Sequence, residues 1–294
     1  MQPPVPPRDP ARRATLAGPS ATVAGIGLVT GRPARLTLLP APPGSGICFR
    51  LHDGSEIAAD WRAARVAPFC SALALPGGGL LRTPEHLLAA LMALGIDDAV
   101  AMLEGEEVPI LDGSALPWCR LLLAAGIAET AAPRRRLMLR RPVALEQDGR
   151  RIIAEPAEAA HYAVGLDLAH WGRLHWQGVP DGAEFLAEIA PARSFGRLKW
   201  ALPAALLARL TGRERLRGAR FGNTAPLIGG RILGGARLPA EPVRHRVLDL
   251  VGDLALLGAP LVAEVTAWRP SHAINHAFLQ LLLAEAGAAE WVEG

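Results

Sequence analysis

Short apolar segments in the first hundred residues predict the strands of a sheet. Residues 34–39 alternate in character, and residues 47–51 and 99–103 are short runs rich in apolar side chains. Residues 22–28 form a further β-like segment that ends at a turn over residues 30–33. Alternation and short runs between turn residues are typical of strands, so this region is predicted to be rich in β-structure.

A helix is predicted to begin at Thr83. Threonine is a favourable capping residue, Pro84 suits the first helical position, and Glu85 complements the helix dipole. Leucines then recur at helical spacing until Gly95, a residue type that commonly ends a helix. Related patterns predict further helices at residues 116–125, 200–210, 242–257 and 272–286.

Strands and helices recur in the same order after Pro133. Further strands are predicted at residues 137–139, 151–154, 162–166 and 261–265. Strands with paired helices, occurring twice, favour an α+β fold built by duplication. The sequence therefore predicts a disordered tail and two domains, over residues 1–13, 14–131 and 136–294.

The composition narrows the class of protein without identifying a function. Half of the residues are hydrophobic and the formal net charge is +3. So mild a charge suits an anionic small molecule better than nucleic acid. The cysteines show no disulfide or metal spacing, no apolar run is long enough to cross a bilayer, and the proline-rich start lacks the apolar core of a signal peptide. We therefore expect a cytoplasmic protein that does not bind nucleic acid.

Two residues on the helix predicted at 242–257 could hold a metal ion. His245 and Asp249 are four positions apart, which places their side chains on one face of that helix. His86 is a candidate third ligand, because a nearby helix N-terminus disfavours the imidazolium form and keeps the ring neutral. Two histidines, a carboxylate and a water molecule are typical of an open catalytic zinc site, although Fe²⁺ could use the same ligands.

Three more residues could supply acid-base chemistry beside that ion. Glu85 is turned about 100° from His86 on the helix, so it could take a proton from water without binding the metal. His272 is a candidate acid, with Asp253 to orient it and keep it cationic. Each feature alone is weak evidence, because a histidine and an aspartate at helical spacing are more often a surface pair. His276 is interpreted as structural, and the residues alone leave the function open.

Five sequence blocks, in order, resemble those of one enzyme family. They read TPEHLLAAL at residues 83–91, VPILDGSA at 108–115, PARSFG at 191–196, RHRVLDLVGDL at 244–254 and HAIN at 272–275. They are similar to the blocks of the UDP-3-O-acyl-N-acetylglucosamine deacetylases, the zinc enzymes of lipid A synthesis. The resemblance implies two similar α+β domains, each a β-sheet with paired helices. It also implies that the helices pack face to face between the two sheets, with the site at their junction.

The resemblance also implies a reaction and its central residues. The substrate would be a UDP-linked N-acetylglucosamine with a 3-O-acyl chain, and the products would be acetate and the free amine. Glu85 would be the general base, and His272, supported by Asp253, the general acid. The metal would be held by His86, His245 and Asp249.

Substrate contacts are implied for three further residues. Ser194 would help to stabilise the oxyanion, Phe195 would lie near the acyl chain, and Arg246 would bind the substrate. We also expect a monomer, with proximity to a membrane arising through the acyl chain of the substrate.

Several positions depart from the family pattern. Residues 27–31 read GLVTG and lack a histidine near the substrate, Arg246 stands where the family has lysine, and Ser271 replaces a glycine. Residues 68–71 and 221–225 also differ from the usual blocks. The metal and acid-base positions keep the pattern, so these departures concern the substrate more than the chemistry.

Three functions therefore stay open. They are the deacetylase of lipid A synthesis, a related enzyme for another acylated amino sugar, and a zinc-binding regulatory protein with little turnover. An enzyme is favoured because a regulatory protein has no need of the acid-base residues. An acyl tunnel lined by residues 162–188 would favour the first function, whereas a cavity closed by Val29, Phe69 or Trp171 would favour the others.

Overall fold

A computed structural model describes residues 8–197 and 216–293. In the first half of the chain, the largest sheet has five strands: β2 (Val23–Ile26), β3 (Pro33–Pro40), β4 (Ile47–Leu51), β5 (Glu56–Ala58) and β9 (Ala99–Glu104). Their order is β2-β3-β9-β4-β5, and neighbours are antiparallel except for β9 and β4.

The largest sheet of the second half repeats this arrangement. Its strands are β12 (Val143–Gln147), β13 (Arg150–Glu155), β14 (His161–Leu168), β15 (Gly172–Gly178) and β20 (Glu264–Trp268). Their order is β12-β13-β20-β14-β15, and here too one central pair, β20 and β14, is parallel. The α+β prediction is confirmed, and the two sheets match in strand order and direction.

Smaller sheets complete the described strands. In the first half, β7 pairs with both of its neighbours in an antiparallel meander of β6 (Ala64–Ala67), β7 (Cys70–Ala74) and β8 (Leu80–Arg82). In the second half, a three-stranded sheet consists of β16 (Phe195–Arg197), β17 (Ala225–Ile228) and β18 (Arg231–Ile232). The remaining pairings join β1 (Arg12–Leu16) to β10 (Ile127–Pro133), and β11 (Arg135–Leu139) to both β19 (Leu261–Val262) and β21 (Ala289–Glu293).

Four of the five described helices lie close to their predicted positions, and the short helix at residues 182–184 was not predicted. The five are α1 (Glu85–Ala93), α2 (Leu116–Ala125), the short α3 (Gly182–Glu184), α4 (Glu241–Leu254) and α5 (His272–Ala284). A π-helical turn follows α3 and a 3-10 turn follows α4. The helix predicted at residues 200–210 lies outside the described residues.

Helix α1 packs against α4, and Gly252 permits their close approach. A Cβ atom at this position would lie 2.1 Å from the carbonyl oxygen of Glu85, so a larger residue would push the helices apart. Leu88 on α1 and Leu248 on α4 are buried in the same hydrophobic core, which stabilises the contact. The start of α1 is thereby held beside the middle of α4.

Two local predictions are wrong. Thr83 does not cap α1, because its backbone is left-handed (φ 58°) and its hydroxyl donates to Glu107 Oε1 at 2.8 Å. Pro84 precedes the helix instead. The strand predicted at residues 261–265 is interrupted at Ala263, because its first part pairs with β11 and its second part joins the large sheet of the second half.

Ordered structure begins earlier than the predicted first domain. Strand β1 starts at Arg12, and Arg13 forms a buried ion pair with Asp98 in which Nη2 and Oδ1 are 2.7 Å apart. Arg12 and Arg13 therefore belong to the fold and not to a tail. The other domain boundaries stay predictions. Among the described helices, none combines the length and apolar character needed to cross a membrane.

Candidate active site

Helices α1 and α4 bring three potential metal ligands together. His245 Nε2 lies 3.4 Å from Asp249 Oδ1, and His86 Nε2 lies 3.9 Å from the same oxygen. All three side chains are buried. Ligand atoms that bind one tetrahedral zinc ion at about 2.0–2.1 Å are roughly 3.4 Å apart, so this set of atoms fits a metal ion.

Both histidines are held in the neutral form that can bind a metal. Burial, followed by the nearby His245, lowers the pKa of His86 to about 3. Burial also lowers the pKa of His245. The Nδ1–H group of His245 donates to the carbonyl oxygen of Ala192 at 3.1 Å, which leaves the lone pair of Nε2 free to point at the metal position.

Asp249 is held as a carboxylate. Burial alone would raise its pKa, but the neighbouring His245, His272 and Arg246 lower it. Nη1 of Arg246 donates to Oδ2 at 2.8 Å, while Oδ1 faces the two histidines. One carboxylate oxygen is therefore directed to the candidate metal position and the other to a guanidinium group.

Glu85 lies beside this position but does not belong to the ligand group. Its Oε2 atom is buried and has no hydrogen-bond partner among the described residues, and its Oε1 atom lies 3.8 Å from His272 Nε2. Burial raises the pKa of Glu85 to about 8, although the charge of His272 opposes the shift. A buried carboxylate that titrates near neutral pH is suited to accept and release a proton.

His272 is held as a cation at the start of α5. Burial alone would lower its pKa, but the charge and hydrogen bond of Asp253 raise the pKa to about 10. The Nδ1–H group donates to Asp253 Oδ2 at 2.9 Å, and Nε2 faces Glu85. The pKa of Asp253 is held below its usual range by His272, against the effect of burial.

Two residues around Asp253 were missed as part of the site. Ser71 on β7 contacts Asp253, and its hydroxyl oxygen lies 2.8 Å from Nε2 of His276. Ser71 belongs to residues 68–71, which depart from the family pattern, and His276 is interpreted from sequence as structural. The spacing of His272 and His276 could have indicated that both face the site, because residues four positions apart on a helix share one face.

The proposed substrate residues line the same cavity. It has a volume of about 330 Å³, and its wall includes Ser194, Phe195 and Arg246 together with the ligand and acid-base residues except Asp253. The guanidinium of Arg246 lies over the ring of Phe195, 5.0 Å from its centre. The nine predicted site residues therefore converge, with Asp253 directly behind His272.

None of residues 162–188, which would line an acyl tunnel if the first function were favoured, lines this cavity. Phe69 does line it, whereas Val29 and Trp171 do not. Trp171 instead packs, with Phe195, on a small hydrophobic core of the β16–β18 sheet. The walls come instead from residues 66–69, 194–196 and 216–224.

Glu107 fixes the loop that bears the GLVTG departure. This buried carboxylate accepts hydrogen bonds from the backbone amides of Val29 and Thr30, each at 2.8 Å, and from the Thr30 hydroxyl at 2.7 Å. It also accepts the hydroxyl of Thr83 at 2.8 Å, two residues before Glu85. One carboxylate thus connects the loop of residues 27–31, whose Leu28 lines the cavity, to the segment that precedes α1.

Comparison with known proteins agrees with the site. The chain matches the family model LpxC, UDP-3-O-acyl N-acetylglycosamine deacetylase, over residues 13–284. A protein named UDP-3-O-acyl-N-acetylglucosamine deacetylase from Solibacter usitatus is 36% identical over 266 residues, covering 89% of this chain and 88% of the relative. A protein of the same name from Neisseria gonorrhoeae is 33% identical over 288 residues, covering 92% and 90%. The predicted resemblance is confirmed: this chain belongs to the UDP-3-O-acyl N-acetylglycosamine deacetylase family.

Proposed function

We propose that this protein removes the N-acetyl group of a UDP-3-O-acyl-N-acetylglucosamine and releases acetate and the free amine. This is the reaction that the names of its relatives describe. The observation that carries the proposal is one cavity in which a possible ligand set, His86, His245 and Asp249, lies beside a separate acid-base pair. The proposed ion is zinc, because two imidazoles and one carboxylate form a typical catalytic zinc set.

The metal and Glu85 have complementary tasks. A bound zinc ion would lower the pKa of water and polarise the amide carbonyl. Glu85 accepts the proton of the attacking water, because its carboxyl group lies beside the ligand group without belonging to it. Its buried Oε2 atom, which has no partner among the described residues, is the free acceptor for that proton.

His272 supplies the proton for the leaving amine. Its pKa of about 10 keeps it protonated at neutral pH, and Nε2 is the nitrogen on the side of Glu85 and the cavity. Asp253 occupies Nδ1, so the proton that leaves comes from Nε2. Loss of that proton yields a neutral imidazole that remains hydrogen-bonded to Asp253.

The cavity wall supplies the remaining contacts. We assign Ser194 to the developing oxyanion, where a hydrogen-bond donor stabilises charge. Phe195 offers an apolar surface to the acyl chain, and Arg246 offers a cation to the anionic substrate. We further propose that the protein acts as a cytoplasmic monomer, close to a membrane through the acyl chain of its substrate.

The test is acetate release from the UDP-linked, 3-O-acylated sugar, measured with and without a chelator. We expect turnover that the chelator abolishes and added Zn²⁺ restores. Activity that resists the chelator while zinc is removed would contradict the metal assignment, and no release from the loaded enzyme would contradict the substrate assignment. Adding Fe²⁺ in place of Zn²⁺ tests which ion supports the reaction.

A second candidate is a deacetylase for another acylated amino sugar. Phe69 lies in the cavity wall, and the loop of residues 27–31 lacks the histidine of the family. Assaying substrates with and without the 3-O-acyl chain separates the two candidates. Preference for a sugar that lacks the acyl chain would favour the second.

A further inference from the structure

Ser71 lies at the centre of a buried polar cluster, and the proposed reaction assigns no task to Ser71 itself. It is located on β7, in the first half of the chain, and is 1% exposed. Its hydroxyl oxygen contacts Asp253 Oδ1 and lies 2.8 Å from His276 Nε2 and 3.2 Å from His272 Nδ1. A single hydroxyl of the first half thus contacts three side chains of α4 and α5.

The direction of these hydrogen bonds follows from the charge of Asp253. As a carboxylate, Asp253 has no proton to donate, so the Ser71 hydroxyl is the donor to Oδ1. The oxygen of Ser71 can then accept the Nε2–H group of His276. The other carboxylate oxygen, Oδ2, accepts Nδ1–H of His272 at 2.9 Å and the side-chain amide of Asn275 at 2.8 Å.

His276 is close enough to compete for the carboxylate. Its Nε2 atom is 3.5 Å from Asp253 Oδ1, and it stands one turn after His272 on the same helix. With Ser71 present, the Nε2–H group has an acceptor at a shorter distance than the carboxylate. Without that hydroxyl, Asp253 would lose a donor, and His276 could move onto Oδ1 and rotate the carboxylate away from His272.

We propose that Ser71 is a positioning residue for the general acid, His272. Ser71 fixes the carboxylate of Asp253 and keeps His276 from rotating that carboxylate away from His272. The proposal rests on the role assigned to His272 in the proposed function. The charged or titratable groups around His272 are Glu85 and His86 from α1, His245, Asp249 and Asp253 from α4, and His276 from its own helix. Ser71 adds no charge to this set, so it acts through geometry alone.

The test compares variants of the full, zinc-loaded chain. Ser71→Ala is expected to lower kcat for acetate release about tenfold to a hundredfold, which is the value of a hydrogen bond to a charged group. KM should change by less than about twofold, because substrate contacts are unaltered. The alkaline limb of the pH profile should move to lower pH, and bound zinc should not change. Ser71→Thr keeps the hydroxyl and should show the wild-type kcat and pH profile.

A buried serine elsewhere provides the matched control. Ser20 accepts the backbone amide of Leu38 at 2.9 Å and belongs to the first half of the chain. Ser20→Ala is expected to lower stability without moving the pH profile. If Ser71→Ala does not fold, Ser71→Cys keeps a side chain of similar shape with a weaker donor, and it should shift kcat and the alkaline limb in the same direction.

The proposal is overturned if Ser71→Ala keeps the wild-type kcat and pH profile, or if Ser71→Thr loses them. NMR titration of His272 separates this failure from failure of the proposed function. A wild-type protein that releases no acetate would contradict the proposed function. In that protein, a lower pKa of His272 in Ser71→Ala would still support positioning, and an unchanged pKa would refute it.

Discussion

Two histidine–aspartate pairs meet in one cavity, yet their histidines have opposite charge states. His245 and Asp249 are both on α4, and burial lowers the pKa of this histidine. His272, whose side chain is also largely buried, is held by Asp253 at a pKa of about 10. Burial is common to both rings, so it cannot explain the difference.

The partner of Nδ1 explains it. In His245 this nitrogen donates to a neutral backbone carbonyl, that of Ala192, and Nε2 keeps a free lone pair. In His272 the same nitrogen donates to the carboxylate of Asp253, which stabilises a second proton on Nε2. A neutral ring can bind a metal and a cationic ring can donate a proton. The hydrogen bond behind each ring thus suits it to its proposed role.

The largest effect is expected from His245→Ala, which breaks the ligand pair. Removing one of three protein ligands should abolish stable metal binding, and acetate release should fall at least about a thousandfold, because metal chemistry lowers the barrier by several kcal/mol. Metal analysis after dialysis and the acetate assay measure both effects. His52→Ala removes an exposed histidine and should leave zinc and activity intact. Full zinc occupancy in His245→Ala would show that this ring is not a ligand.

Glu85→Gln should separate metal binding from catalysis. The amide keeps the shape of the side chain but cannot accept the proton of water, so kcat should fall about a hundredfold to ten-thousandfold. Zinc content should equal that of the wild-type protein, because Glu85 is not in the ligand group. Activity near the wild-type value would refute the base assignment.

Asp253→Asn should bring His272 toward the neutral state of His245. Without the carboxylate, the pKa of His272 should fall toward the ordinary value of about 6.5. The acid must be protonated, so activity is present below this pKa and is lost as pH rises through it. The alkaline limb should therefore move to lower pH, with kcat at pH 8 reduced roughly tenfold or more. Asp167→Asn, at a half-exposed aspartate, is the control and should not move that limb.

The smallest catalytic effect is expected from Glu107→Gln, away from both pairs. The buried carboxylate accepts several hydrogen bonds, and an amide cannot accept them all. The free energy of unfolding should fall by about 1–3 kcal/mol, as measured by urea denaturation, while the pH profile stays in place. A shifted alkaline limb would mean that the charge state of His272 depends on more than its local partners.

The candidate ligand positions could be predicted from sequence because their geometry is local. Residues four apart on a helix share a face, so His245 and Asp249 were recognisable as a pair. Glu85 and His86 adjoin at a helix start, where their separation around the axis is also local. The sequence blocks then supplied the one long-range fact, that α1 and α4 meet.

The contacts of Ser71 and Glu107 could not be predicted in this way. Ser71 is 182 positions from Asp253, and Glu107 reaches back 78 positions to Val29. Neither contact leaves a periodic signal, because each depends on how separate sheets and helices pack. Thr83 shows the same limit: its capping pattern was reasonable locally, but a buried carboxylate elsewhere in the fold takes its hydroxyl.

The most direct test of the contrast between the two pairs is ¹⁵N NMR of the histidine rings in the zinc-loaded protein at pH 8. We expect His272 to carry protons on both ring nitrogens, whereas His86 and His245 should each carry one, with Nε2 shifted by the metal. A neutral His272 at that pH, or an Nε2 of His245 unaffected by adding and removing zinc, would contradict this expectation.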